Sequence, residues 1–136
     1  MRSLINYRVV IDTNVFVSAI LKSGNPEKIV TLWRQGQIHL LLSPYLAAEI
    51  LSVLQRLGIE SMYIAQLTYR LEHHTIQILP ASSIALCRDP KDNEILSLAV
   101  DGDADYIITG DTDLLTLGKI EKTIIMKPKD FLKEVS

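Results

Sequence analysis

The chain has 136 residues, 48% hydrophobic and 22% charged, with a net charge of −2 at pH 7 and an isoelectric point near 5.9. That length suits one domain spanning residues 1–136 with a real core. The mild acidity excludes a protein that depends on non-specific phosphate attraction, which needs a basic surface, but not a nucleic-acid enzyme whose carboxylates hold a cation, because a bound ion inverts the local charge.

Tyr7 to Ile11 is a β-rich apolar run that ends in Asp12, Thr13 and Asn14, and Val15 to Leu21 then reads as a short helix closed by Ser23-Gly24. Asn25-Pro26 signals a helix start that runs through Ile29, Val30, Leu32 and Trp33 to Gly36. Ile38 to Leu42 is a second strand, and Ser43-Pro44 caps a helix reaching Gly58. Residues 60–74 keep Tyr63, Leu67 and Leu71 in helical register; Thr75 to Leu79 is a strand, with an extended piece at Ser83 to Leu86. Asp89-Pro90 marks a turn, Asp92 to Val100 a helix, Tyr106 to Thr109 and Thr123 to Met126 two more strands, and Pro128 opens a terminal helix. Strands separated by helices imply right-handed crossovers and a parallel sheet covered on both faces. No repeat, low-complexity tract or linker divides the chain. The lone Cys87 forms no intramolecular disulfide and reads as a half-buried structural thiol in a reducing compartment. MRSLINYR lacks the apolar centre of a signal peptide, and no run approaches the ~20 apolar residues of a membrane span. The expectation is a cytoplasmic protein.

Ligands of open parallel sheets bind beyond the carboxyl ends of the strands, where Asp12 stands. Glu49 lies among Leu46, Ala47, Ala48, Ile50 and Leu51, where a carboxylate is costly to bury without a partner or a metal. Asp92 sits near a helix start, where a cap or a charge favoured by the helix dipole is the plain alternative; Asp89 before Pro90 fits that role equally well and Glu94 a capping or solvated one, so Asp92, just before ILSLAV, is the better functional candidate. Asp111 and Asp113 follow Gly110, a residue suited to a tight turn, at the end of another strand. Either alone fits a turn or cap, but two strands running directly into Asp favour a shared site. Several carboxylates at one edge repel unless cations neutralise them. Oxygen ligands without His or Cys suit Mg²⁺ or Mn²⁺, which retains waters, takes phosphate as a further ligand and promotes phosphodiester hydrolysis. Thr13 and Asn14 are then short polar groups that steady Asp12 or the phosphate. Asp101, Asp103 and Asp105 lack the glycine and distal Glu of a calcium loop, and His39, His73 and His74 lack metal-ligand spacing.

The segments VVIDTNVFVSA, AAEIL, DPKDNEILSLAV and ADYIITGDTDLL, in this order and spacing from about Arg8 to Met126, resemble PIN-domain ribonucleases, most closely the VapC-like toxin components of toxin–antitoxin pairs. The resemblance implies a three-layer α/β/α sandwich with a central parallel sheet and a Mg²⁺- or Mn²⁺-dependent endoribonuclease. It carries the family's acidic quartet onto Asp12, Glu49, Asp92 and Asp111, with Asp113 as a supporting ligand, Thr13 and Asn14 as the polar pair after the first acid, and Thr109 as the hydroxyl before the last. It also implies an RNA substrate, an antitoxin partner and a homodimer.

A haloacid-dehalogenase-like phosphotransferase needs an acid two residues after the first Asp, where Asn14 stands and cannot deliver a proton. A receiver domain could use Lys127, but its phospho-acceptor should end the central strand, and Thr75 to Leu79 runs into Pro80 instead. No glycine-rich nucleotide loop occurs. A non-catalytic RNA-binding or protein-interaction scaffold with a vestigial metal site is the remaining alternative. Among the basic residues, Arg88 and Lys91 flank Asp92 and are the foremost candidates to meet phosphate, while Trp33 reads as core.

Overall fold

The computed structural model describes residues 7–135. Most of the MRSLINYR stretch, residues 1–6, lies outside the described residues.

Strand β1 (Arg8–Ile11) is followed by α1 (Thr13–Leu21), α2 (Asn25–Arg34), β2 (His39–Leu42), α3 (Pro44–Arg56), α4 (Ser61–His73) and β3 (Ile76–Gln77). Next come α5 (Pro90–Asp101), β4 (Tyr106–Ile108), α6 (Thr112–Leu117), β5 (Lys119–Ile120), β6 (Thr123–Met126) and α7 (Pro128–Val135). The six strands form one sheet in the order β3-β2-β1-β4-β6-β5. All neighbours pair in parallel except β5 and β6, which are antiparallel. The architecture is an α/β sandwich, as expected, with one antiparallel edge strand.

The central strands are buried on both sides: Val9, Val10, Ile11, Leu40, Leu41, Leu42, Ile107 and Ile108 are almost wholly inaccessible. Continuous apolar runs suit strands covered by helices on both faces. Helix α5 packs against β1, β2 and β4, while α1 contacts α2 and α3. Trp33 is core, as read: its ring lies 5.9 Å from that of Phe16, and its Nε1–H donates to the His74 carbonyl at 2.8 Å.

Ser43 caps α3, its hydroxyl accepting from the Leu46 N–H. Gly36 and Gly58, at φ of +74° and +77°, adopt the left-handed conformation that closes α2 and α3. Several expectations are corrected. Asn25 is the first residue of α2 and Gly24 precedes it as the cap position. The third strand shrinks to Ile76–Gln77, and residues 83–86 form no strand. Helix α5 begins at Pro90 with Asp89 as its cap, the Asp89 carboxylate accepting from the Lys91 N–H. Gly110 is not among the glycines with positive φ, and a Cβ there would meet nothing, so no left-handed turn explains it.

Candidate metal centre

The carboxyl ends of β1 and β4 set the site. The ladder continues one residue past β1, where the Asp12 N–H donates to the Ile108 carbonyl at 3.0 Å. Beyond β4, the Thr109 N–H donates to Met126. This places Asp12 beside Thr109, whose hydroxyl donates to Asp12 Oδ2 at 2.7 Å. The same hydroxyl accepts from the Asp111 N–H at 2.9 Å, so one buried threonine ties together the acids that follow β1 and β4.

Asp111 caps α6: its Oδ1 accepts from the N–H groups of Asp113 and Leu114 at 2.9 and 3.2 Å. Asp92 projects from the first turn of α5 and is 6% exposed. Its Oδ2 is a buried oxygen with no hydrogen-bond partner among the described residues. One carboxylate oxygen each from Asp92, Asp111 and Asp113 lies within 4.8 Å of the others. Burial, followed by the carboxylates of Asp111, Asp12 and Asp89, pushes the Asp92 pKa from 3.8 up to about 6. Burial also raises Asp12, with Asp111 and Glu49 adding to the rise, while the Thr109 hydroxyl and the Thr13 backbone N–H act in the opposite direction. Three converging carboxylates and a buried orphan oxygen fit a hard divalent cation, which would satisfy that oxygen and relieve the repulsion.

Glu49 reaches the same edge from α3, but both of its oxygens have partners. Oε1 accepts from the Thr13 hydroxyl at 2.5 Å, and Oε2 pairs with Lys91 Nζ at 3.2 Å. The Thr13 hydroxyl therefore steadies Glu49 rather than Asp12, to which Thr13 contributes only its backbone N–H; the hydroxyl that steadies Asp12 is that of Thr109. Glu49 and Asp12 stand outside the tightest triad. Asn14 is exposed beside both clefts of the site. Arg88 donates to both oxygens of Asp113, with its shortest contact at 3.1 Å. Sequence order offers no direct signal for these two ion pairs, although the flanking of Asp92 by Arg88 and Lys91 pointed to their neighbourhood.

The acids lie between two clefts. One, of about 350 Å³, runs between α3 and α5 and is lined by Asp12, Glu49, Val53, Arg56, Lys91, Asp92 and Asp111, with Thr13, Asn14 and Asp89. The other, of about 520 Å³, shares Asp12, Asn14 and Asp111 and adds Val15, Ser18, Pro26, Gly110, Thr112 and Pro128.

The discounted groups have structural work. Asp101 accepts from the backbone N–H groups of Ala81 and Ser82 and from the Ser82 hydroxyl, which lowers its pKa and pins the loop before α5. Asp105 accepts from the Arg8 N–H. Cys87 is half-buried, and burial with the neighbouring acids raises its thiol pKa, which disfavours the thiolate. Among the described residues, no helix is long and apolar enough to cross a membrane.

Residues 8–113 match the PIN domain family. An uncharacterized protein of Methanocaldococcus jannaschii, MJ1680, is 35% identical over 145 aligned positions, covering 96% of this chain and 92% of that protein. The fold is similar to that of FitAcB from Neisseria gonorrhoeae, with a TM-score of 0.51, 18% identity, and coverage of 89% of this chain and 98% of that one. On the match across residues 8–113, which contains every acid of the site, the chain belongs to the PIN-domain family.

Proposed function

We propose that this chain is a single-domain, Mg²⁺- or Mn²⁺-dependent endoribonuclease and the toxin of a toxin–antitoxin pair. PIN domains are generally nucleases. The observation that carries the reading is the buried, unpartnered Oδ2 of Asp92 beside the converging carboxylates of Asp111 and Asp113. Asp92, Asp111 and Asp113 hold the ion on the sheet edge. Asp12, fixed by Thr109, completes its near side, and Glu49 becomes available when Lys91 turns to substrate. Thr13, Asn14 and Thr109 are supporting residues that keep carboxylates or phosphate in place. When bound, such an ion neutralises phosphate charge and acidifies water for attack on phosphorus. The antitoxin, a homodimer and a cytoplasmic location belong to the same proposal; the family resemblance supports the first two, and the single free cysteine the last.

Incubation of the protein with RNA in Mn²⁺ tests this. Asp12→Asn is expected to abolish cleavage, and undiminished cleavage by that variant contradicts the assignment. A second reading, the non-catalytic scaffold, draws on the pairing of Glu49 with Lys91 and of Asp113 with Arg88, which neutralises two acids within the chain. A scaffold predicts no thermal shift with Mn²⁺.

A further inference from the structure

The smaller cleft has an acidic floor and a basic wall. Glu49, Val53 and Arg56 follow one another at i, i+4 and i+7 on α3, so they share the face that lines it. Lys91 enters from the opposite side on the first turn of α5, its ammonium held over the acids by Glu49. Arg56 is exposed in the cleft and has no hydrogen-bond or ion-pair partner among the described residues. A guanidinium without a carboxylate partner, in a cleft otherwise dominated by acids, is positioned for an anion brought by substrate. It lies roughly 10 Å further along the helix axis than Glu49. The larger cleft on the other side of Asp12 and Asp111 has no cationic lining residue among the described residues.

We infer that Lys91 and Arg56 form a phosphate track for single-stranded RNA. Lys91 takes the phosphate at the carboxylates and Arg56 a phosphate further along the strand, so the charged backbone leaves the site between α3 and α5 and not across α1. This rests on the nuclease reading for its substrate class. No covalent step is involved: Lys91 exchanges a carboxylate partner for a phosphate, and Arg56 gains a first partner. The other basic cluster, Arg34 and Arg70 with His39 and His74, lies at the opposite end of β2 and takes no part in the track.

The test is fluorescence anisotropy with a short labelled single-stranded RNA over a range of KCl concentrations. It is run in the Asp12→Asn background, which removes one repelling carboxylate, both in Mg²⁺ and in EDTA, where metal-dependent cutting cannot shorten the strand. Arg56→Gln and Lys91→Gln are each expected to weaken binding about five- to tenfold at low salt. Each should also flatten the slope of log affinity against log salt by about 0.7, the mark of one lost contact to a single-strand phosphate. Arg70→Gln should change neither. A merely structural role for Arg56 would leave the salt slope unmoved. An unchanged slope in both variants, loss of binding confined to Arg70→Gln, or no RNA binding at all overturns the track. Cleavage in Mn²⁺ by the chain with Asp12 intact is scored separately. Cleavage with unmoved slopes refutes the track and spares the nuclease reading; flattened slopes without cleavage do the reverse.

Discussion

Asp12 and Asp111 both lie past the carboxyl end of a central parallel strand and both immediately precede a helix, yet the structure uses them differently. Asp111 spends one oxygen capping α6 through the N–H groups of Asp113 and Leu114. Asp12 makes no side-chain cap to α1 and is held instead from across the sheet by the Thr109 hydroxyl. The same local pattern therefore yields one acid with a stabilising job of its own and one whose burial raises its pKa and costs stability. An acid kept at a net cost is a stronger functional signal than an acid that also caps a helix.

The largest effect is expected on activity. Asp12→Asn and Asp111→Asn should each lower RNA cleavage in Mn²⁺ by ~10²-fold or more, since even groups that only orient a metal ligand are worth 10–100-fold. Small losses in both variants would contradict a role for either acid at the ion.

The next effect concerns Asp92. Its carboxyl has a pKa of about 6 in the folded chain against 3.8 ordinarily, so the folded state favours the protonated form. The metal-free protein is therefore penalised as pH rises between those values, with the penalty fully present above about 6. Asp92→Asn should make the metal-free protein more stable above that range, by on the order of 2 kcal/mol in denaturant unfolding, with no gain near pH 4. A loss of stability at neutral pH would contradict the account of the buried, unpaired oxygen.

Capping comes third. Asp111→Ala should cost about 1 kcal/mol of stability through the lost cap, whereas Asp12→Asn should cost less or stabilise the metal-free chain. Parallel thermal melts in EDTA separate the two.

The smallest effect is at the surface. Arg88 is 88% exposed, and its pairing with Asp113 is weak for that reason. Arg88→Gln should tighten Mn²⁺ binding only about two- to fivefold by freeing Asp113, as read by calorimetric titration. A weakening would make Arg88 part of the site instead of a competitor for it.

What could be read from the sequence follows physical lines. Buried strands and capped helices carry local signals: the apolar run before Asp12, Ser43-Pro44 before α3, and the periodic apolar residues of α2 to α5. Helix α6 was invisible because the six residues of TDLLTL are too few to establish a 3.6-residue period, and β5 is a two-residue edge strand. At the site, the rule that strand ends share an edge points to Asp12, Asp111 and Asp113, whereas Asp92 stands in the first turn of α5 and is marked only by its place before an apolar helix and by the family resemblance. The pairing of Glu49 with Lys91, and the assignment of Thr109 to Asp12 and of Thr13 to Glu49, depend on side-chain directions between distant segments. Periodicity carries no such information.

If Asp92, Asp111 and Asp113 together bind a divalent ion, thermal unfolding during Mn²⁺ titration reports it. The melting temperature should climb with metal concentration by mass action in the natural chain and stay flat in Asp92→Asn. A climb of the same size in Asp92→Asn, or none in the natural chain, would contradict it.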